Sequence, residues 1–491
     1  MSNIAIIGSG FSSLTAACFL AKAGHAVTVF EKNDQLGGRA RQFTSEGFVF
    51  DMGPSWYWMP EVFEQFFNKF GKKVSDYYQL EHLDPSYSVI FDHKEVIDMP
   101  ADYQALKKLF DSLEPGAGDK LDEFLAEAEY KYKVGMEEFV WKPGTSIMEF
   151  ADIRVFTSMF KLDMLTSVSS QVRKLFKNEK IRKILEFPVL FLGATPQKTP
   201  ALYTLMNYAD LKLGTWYPQG GMYKIVEGMV ALGKELGVKY MTSAPVEKLH
   251  VEHGRVVKLQ VDTNRFFEVD YCIAGADYHH IEQEVLDKEW RMYDEKYWEN
   301  RTMAPSSLLF YIGLNKKITG IRHHNLFFDR DFDAHAQEIY ESPKWPSDPL
   351  FYLCCPSVTD QTVAPEGFEN IFLLMPLAPG LEDNEKMREK YFDLMCKRIQ
   401  HQFNIDIKSH IVYCRSFCVN DFKKDYHAYK GNAYGLANTL KQTAFLKPKM
   451  VSQKVKNLFF TGQLTTPGPG MPPAIVSGEV VAHLVNKACQ K

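Results

Sequence analysis

One stretch near the start of the chain, NIAIIGSGFSSLTAACFLAKAGHAVTVFEK, limits the possible folds more than any other. Ile4-Ala5-Ile6-Ile7 is a short apolar run of the kind that fills a central parallel strand. Gly8 and Gly10 supply two glycines of a G-x-G-x-x-G turn, and Ser13 stands where the third would be. Gly8 permits the tight turn, and Gly10 lets a pyrophosphate approach the backbone at a helix N-terminus. The third position serves helix-on-strand packing, which a small serine tolerates. Ser12 and Ser13 can also satisfy free N–H groups of the first helical turn. Apolar spacing through Leu14, Ala17, Cys18 and Ala21 predicts a helix ending near Gly24, and HAVTVF is a second strand that carries Glu31 at its end. A carboxylate there can accept bonds from ribose hydroxyls. Strand, glycine turn, helix, strand and acid in register predict a dinucleotide site in a doubly wound α/β fold. The motif does not separate NAD from FAD.

The next segment favours the longer cofactor. Gly37-Gly38-Arg39 follows the second strand closely enough to return beneath a dinucleotide, with a guanidinium for phosphate. GFVFDMGP then reads as another strand and glycine turn. An NAD unit does not need this extension, whereas FAD has to be held along its length. At the far end, NLFFTGQLTTPGPGMPPAIVSGEVVAHLV reads as strand, glycine turn, Gly/Pro loop and terminal helix. That helix begins near Pro472 or Pro473 and turns its positive dipole end toward whatever lies in front. Between the two ends, Met222, Ile225, Val226, Met229 and Val230 share one helical face, and VEKLHVE, RVVKLQV and VDYCIAGAD read as strands. The sheet is expected to draw on segments far apart in sequence.

Together, GSGFSS with Glu31, LGGRA, DMGPSWYWMP, PQGGMY, APV at 244–246 and TGQLTTPGPGMPPA resemble the bacterial and fungal phytoene desaturase family. These are FAD-dependent carotenoid desaturases among the amine-oxidase-like flavoproteins. The resemblance runs over about 1–60, 216–280 and 425–491 and is looser between. It implies an α/β fold in which 1–72, 216–288 and 426–491 make a Rossmann-like FAD-binding domain. Residues 73–215 and 289–425 would make a mixed-sheet substrate domain, with a helical lid at about 100–215.

Carried over, the resemblance places Gly8, Gly10 and Ser12 at the pyrophosphate and Glu31 at the ribose, and counts Phe11, Ser13 and Lys32 among the cofactor-binding residues. Gly38 and Arg39 would face phosphate and flavin, Met52 and Gly53 the ring, and Val246 the adenine through its backbone; Pro54 and Ser55 are counted with them as cofactor-binding. Gly462 and Gln463 would lie along the ribityl and phosphate portion, and Met471 at the flavin edge. The chain departs from the family at Ser13 and in TTPGPGMPP, where THPGAGIPG is nearer the common form.

The implied reaction removes two hydrogens from adjacent carbons of a long isoprenoid, with the flavin as hydride acceptor and oxygen or a quinone as terminal acceptor. Aromatics at 14% of the chain could line the apolar tunnel such a substrate needs. SWYWMP inclines the reading to phytoene, and desaturation of a later, hydroxylated or monocyclic carotenoid is the alternative. A flavin amine or porphyrinogen oxidase and a prenyl-binding chaperone of the GDP-dissociation-inhibitor kind are the rivals on this fold. No catalytic acid or base is assigned: Asp51, Asp152 and Tyr208 are polar groups near the expected site and nothing more.

Other functions are disfavoured. A net charge of −4 gives no case for nucleic acid. None of the eight cysteines forms a C-x-x-C, so reduced thiols and no metal are expected; adjacent Cys354 and Cys355 should point to opposite strand faces, and His323-His324 reads as a loop pair. The start shows no cleavable signal and the chain no run of about eighteen apolar residues, so the expected location is cytoplasmic, peripheral on the cytoplasmic membrane. Residues 151–187 carry eight Lys and Arg against four acids, with Phe156, Met159, Phe160, Leu175 and Phe176 among them. That composition reads either as a solvated helical face or as an interfacial lid that meets anionic lipid.

Overall fold

A computed structural model describes residues 1–144, 166–439, 442–443 and 446–490. Two sheets organise it. The first is parallel and five-stranded, in the order Leu458–Phe460, Tyr271–Ala274, Asn3–Ile7, Ala26–Phe30, Lys239–Met241. The apolar run at the start is therefore central, paired with Ala26–Phe30 on one side and Tyr271–Ala274 on the other. Four of its five residues are buried, as a strand covered on both faces must be.

The glycine turn feeds the helix Phe11–Lys22, which packs against the C-terminal helix Met471–Cys489. Their approach is close because Gly478 lacks a side chain: a Cβ there would lie 2.6 Å from Thr15 Cβ and closer still to the Ser12 carbonyl. Both helices thus begin at the same end of the sheet. The helix Tyr223–Glu235 buries Ile225, Val226, Met229 and Val230 on the face expected of it.

One expectation is corrected. VEKLHVE and RVVKLQV do not join the parallel sheet; Val246–Glu252 and Arg255–Val261 pair antiparallel with Arg265–Glu268 in a separate three-stranded sheet. Both runs mix a few buried residues with half-buried and exposed ones, which suits an antiparallel sheet partly covered on one side.

The second large sheet is mixed and seven-stranded: Ile411–Phe417, Ser306–Leu314, Glu369–Leu377, Phe351–Cys354, His324–Phe327, Tyr87–Asp92, Glu95–Met99. Ser306–Leu314 is buried at every position and pairs with neighbours on both sides. One face of this sheet meets a core of Phe110, Phe124, Phe176 and Phe187 from the helical segments, and the other packs on the helix Glu385–Phe403. Cys354 and Cys355 fall in these two different cores, on opposite faces. His324 is not in a loop: it opens a strand, and both His323 and His324 are buried.

The basic stretch is only partly visible, since Asp152, Arg154, Phe156, Met159, Phe160 and Lys161 lie outside the described residues. Phe176, just after the helix Val168–Leu175 and before the helix Glu179–Glu186, is fully buried and unavailable as an apolar anchor. Arg173 pairs with Glu186 at 3.3 Å, Lys180 with Glu95 at 2.9 Å, and Arg182 with Glu179. Lys174 and Lys177 remain exposed. Among the described residues no helix is long and apolar enough to cross a membrane.

Candidate active site

A cavity of about 840 Å³ runs between the two large sheets. It begins where the parallel strands end. Gly8 N–H donates to the Phe30 carbonyl at 2.8 Å, which ties the turn to the neighbouring strand. Gly38, at φ +58°, packs so tightly on this turn that a Cβ would lie 3.2 Å from Gly10 Cα. A Cβ on Gly10 itself would meet no atom within 4 Å and would project into open space at the start of the helix Phe11–Lys22. Open backbone at a helix N-terminus is what a pyrophosphate is bound by, and the residues of this cradle fit it. Ser12 lines the cradle, with Gly462 from the far end of the chain beside it.

Ser13 is a correction. It does not line the cavity; its hydroxyl is buried against Gly275, where a Cβ would collide with it. The glycine missing from the helix has moved to the facing strand end. Helix-on-strand packing is kept from the other side.

At one end of the cavity Glu31 is buried and fully engaged. Oε2 accepts from Ser9 N–H at 3.0 Å and Ser9 Oγ at 2.6 Å, while Oε1 accepts from the Asn33 amide and side chain, both at 2.9 Å. Val246 lies beside it, on the strand that follows Ala244, whose N–H donates to the Glu31 carbonyl at 2.8 Å. Lys32 turns its Nζ to the Lys424 carbonyl (2.6 Å) and to His427 Nε2 (3.1 Å), and burial lowers its pKa. His427 stacks on His280 at 3.7 Å, and both line the cavity. Burial pushes these imidazoles down to about 4 and about 3, so both are neutral flat surfaces at neutral pH. Sequence reasoning missed this pair, because no motif links positions 147 residues apart.

The middle is built around Arg39. Its guanidinium lies 5.2 Å over the Tyr426 ring, and Nη2 donates to the Asn432 carbonyl at 3.4 Å. With the Gln463 amide turned oxygen-first, Nη2 also donates to it at 3.0 Å. Its Nε is buried without a partner among the described residues. Burial lowers the Arg39 pKa and raises that of Asp277, and the two charges partly offset these effects. Gly53 is held directly against the Arg39 carbonyl, where a Cβ would collide, so the turn after the strand Phe48–Asp51 admits no larger residue. Met52, Pro54 and Ser55 continue along the wall, and the Met52 carbonyl accepts from Tyr311 at 2.7 Å. Gly470 and Met471 close this part with the first turn of the C-terminal helix.

Beyond Ser55 the wall becomes apolar: Trp56, Phe187, Leu192, Leu309, Phe372 and Leu374 line it. Among its polar members, Tyr352 donates to Ser55 Oγ at 3.1 Å and contacts His324 Nδ1 at 2.6 Å. Asp51 and Tyr208 do not line this cavity. Asp51 caps the helix Tyr223–Glu235, accepting from Met222 N–H at 2.7 Å and Tyr223 N–H at 3.1 Å, and burial pushes it up to about 6. Tyr208 bonds Glu129 at 3.3 Å instead.

A parallel sheet with a phosphate cradle at its strand ends, continuous with a deep apolar pocket, defines a dinucleotide-dependent enzyme of an apolar substrate. Residues 11–486 match the flavin containing amine oxidoreductase family, to which the chain belongs. It is 42% identical to a carotenoid 3,4-desaturase of Haloarcula japonica over 98% of this chain and 97% of that protein. A 4,4'-diapophytoene desaturase (4,4'-diaponeurosporene-forming) of Staphylococcus aureus is 32% identical over 100% and 99% of the two chains. Within the family, the chain therefore belongs to the FAD-dependent carotenoid desaturases. The fold is also that of cyclohexylamine oxidase from Brevibacterium oxydans (TM-score 0.60, 15% identity, all of both chains). A fatty acid isomerase from P. acnes shares it too (TM-score 0.59, 14% identity, 99% of this chain and 98% of that one).

Proposed function

We propose that the protein introduces carbon–carbon double bonds into a long isoprenoid of the carotenoid type. FAD would lie with its adenosine at Glu31 and Val246 and its pyrophosphate at Gly8, Gly10, Phe11, Ser12 and Gly462. Arg39, Met52–Ser55, Gln463 and Met471 would hold the remainder. The supporting observation is continuity: the cavity that opens on the Gly10 cradle is walled at its other end by Trp56, Phe187 and Phe372.

When bound, FAD supplies a hydride acceptor, which carries the difficult cleavage of a non-acidic C–H bond. The chain's own residues bind and orient. The apolar wall strips water from the polyene and holds it lengthwise, so that a chosen pair of adjacent carbons is presented. Ser55 and Tyr352 are the hydrogen-bonding groups at the junction of the polar and apolar parts. Two domains, one around each large sheet, would meet at this cavity. Substrate would enter from an anionic membrane surface, and electrons would pass on to oxygen or a membrane quinone.

Likeness to the Haloarcula japonica protein favours a second reading on substrate choice, desaturation near the chain end at the 3,4 position. The test is to incubate the FAD-loaded protein in liposomes with phytoene and, separately, with later acyclic and hydroxylated carotenoids, and identify products by mass and absorption. Added double bonds in one of these support the proposal. Turnover of amines with none of the carotenoids converted would overturn it.

A further inference from the structure

We infer that His323, His324 and Cys354 form a binding site for a zinc-type divalent cation behind the Trp56 wall of the substrate cavity. The site follows from strand register. His324 and Cys354 are directly opposed partners in the antiparallel pair His324–Phe327 with Phe351–Cys354, and opposed residues share a face. His323 precedes the strand and tilts back beside His324, ring centroids 4.4 Å apart. One donor atom from each of the three lies within 4.8 Å of those from the other two. All three residues are at most 4% exposed.

The hydrogen bonds point the same way. His324 Nδ1 faces the Tyr352 hydroxyl at 2.6 Å, and that hydroxyl donates onward to Ser55 Oγ. With its proton committed to Ser55, that hydroxyl accepts from Nδ1, which leaves a lone pair on Nε2. His323 Nδ1 contacts Thr359 Oγ1 at 2.8 Å; with Nδ1 as the donor there, its Nε2 also presents a lone pair. Both Nε2 atoms are buried with no partner among the described residues. Two buried imidazoles held through Nδ1 by outer groups, with Nε2 lone pairs vacant beside a thiol, have the arrangement of metal-ligating histidines.

Two nitrogens and a sulfur suit a borderline-soft ion in tetrahedral geometry, and such ligands stand about 3.3–3.5 Å apart at the usual Zn–N and Zn–S lengths. The donors need to close by roughly 1 Å to reach that spacing. A separate small cavity of about 20 Å³, bounded by His323, Cys354, Asp51, Ser55 and Tyr217, has room for one water as the fourth ligand. Binding replaces the Cys354 S–H bond with a metal–sulfur bond and releases one proton to solvent. His324 also stacks on Trp56 at 4.1 Å with planes 10° apart, so the ion would stiffen the wall against which substrate lies.

Cobalt(II) titration of the metal-stripped, FAD-loaded protein tests this, read by ligand-field absorption at wavelengths beyond the flavin bands. One equivalent should bind with the intense ligand-field bands of a tetrahedral, thiolate-ligated cobalt, and zinc should displace it. Cys354→Ser should abolish that thiolate-ligated band pattern, His323→Gln should weaken binding at least tenfold, and Cys355→Ser, on the other sheet face, should leave both unchanged. Absence of a stoichiometric thiolate–cobalt signal in the unaltered protein overturns the site, whatever the variants do. So does a signal that persists in Cys354→Ser; the vacant nitrogens then face a buried water.

Discussion

Ser9 and Glu31 are joined twice, through the Ser9 amide at 3.0 Å and its hydroxyl at 2.6 Å, both to Glu31 Oε2. The residue between the two glycines thus fixes the acid at the end of the second strand, and Asn33 holds the other oxygen. A carboxylate fixed in this way loses little freedom when a ribose binds. Glu31→Ala should weaken FAD by about 1.5–3 kcal/mol, the value of charge-assisted hydrogen bonds. Fluorescence titration of the flavin-free protein should show that as a roughly ten- to hundredfold rise in Kd. Unchanged affinity would remove Glu31 from the cofactor site.

Arg39 offers a sharper test of the middle of the site. Its planar fork reaches the Asn432 carbonyl while lying over the Tyr426 ring, and Nε has a free hydrogen. Lysine keeps the charge but not the fork or the stacking. Arg39→Lys should therefore purify with well under half the flavin of the parent, with an unchanged far-ultraviolet circular dichroism spectrum. Full flavin occupancy would mean that the guanidinium only braces the Tyr426 turn.

The cofactor half was largely legible because its residues answer to local rules. Gly38 and Gly53 are each required by a close approach that a short motif announces, Gly10 leaves open space at the helix start, and Glu31 sits at a fixed step from the first glycine. Ser13 misled because packing has two sides: Gly275 restores the contact from a strand that no local pattern connects to it. The same limit hid His280 with His427, and Arg39 with Asn432, which meet only through the tertiary fold. His323 and His324 looked like a loop pair because strand register with Cys354 cannot be read from periodicity. Phe176 looked available to lipid because amphipathic spacing does not say which neighbour covers a face; here Phe110 and Phe124 do.

A buried carboxyl on the substrate side makes stability depend on pH in a defined direction. Asp210 accepts from Tyr87 at 2.8 Å, its other oxygen has no partner among the described residues, and burial pushes it up to about 7. Below about pH 4 the group is protonated in both folded and unfolded chains and contributes nothing. As pH rises toward 7 the unfolded chain ionises while the folded one resists, so stability falls by up to about 1.4 kcal/mol per unit. Asp210→Asn removes this dependence. The variant should melt several degrees above the parent at pH 8, with the gap narrowing toward pH 5. A gap that is constant across that range would assign the effect to packing alone.

Membrane docking is the last prediction, and the structure narrows which charges can serve it. Arg173 is engaged by Glu186, which is buried, so replacing it would test folding rather than lipid contact. Phe176 is in the core. Lys174 and Lys177 project from the same stretch and are its exposed cations among the described residues, so they are available to an anionic headgroup. Each is worth about 1 kcal/mol near such a surface, so neutralising both should weaken binding roughly thirtyfold at low ionic strength. The difference should shrink as salt shortens the Debye length to about 8 Å at physiological strength. Co-sedimentation of Lys174→Gln/Lys177→Gln with vesicles containing phosphatidylglycerol measures this, and flavin content should not change, because neither lysine lines the cavity. If the double variant sediments as the parent does at every salt concentration, these lysines are a solvated face and docking belongs to another surface.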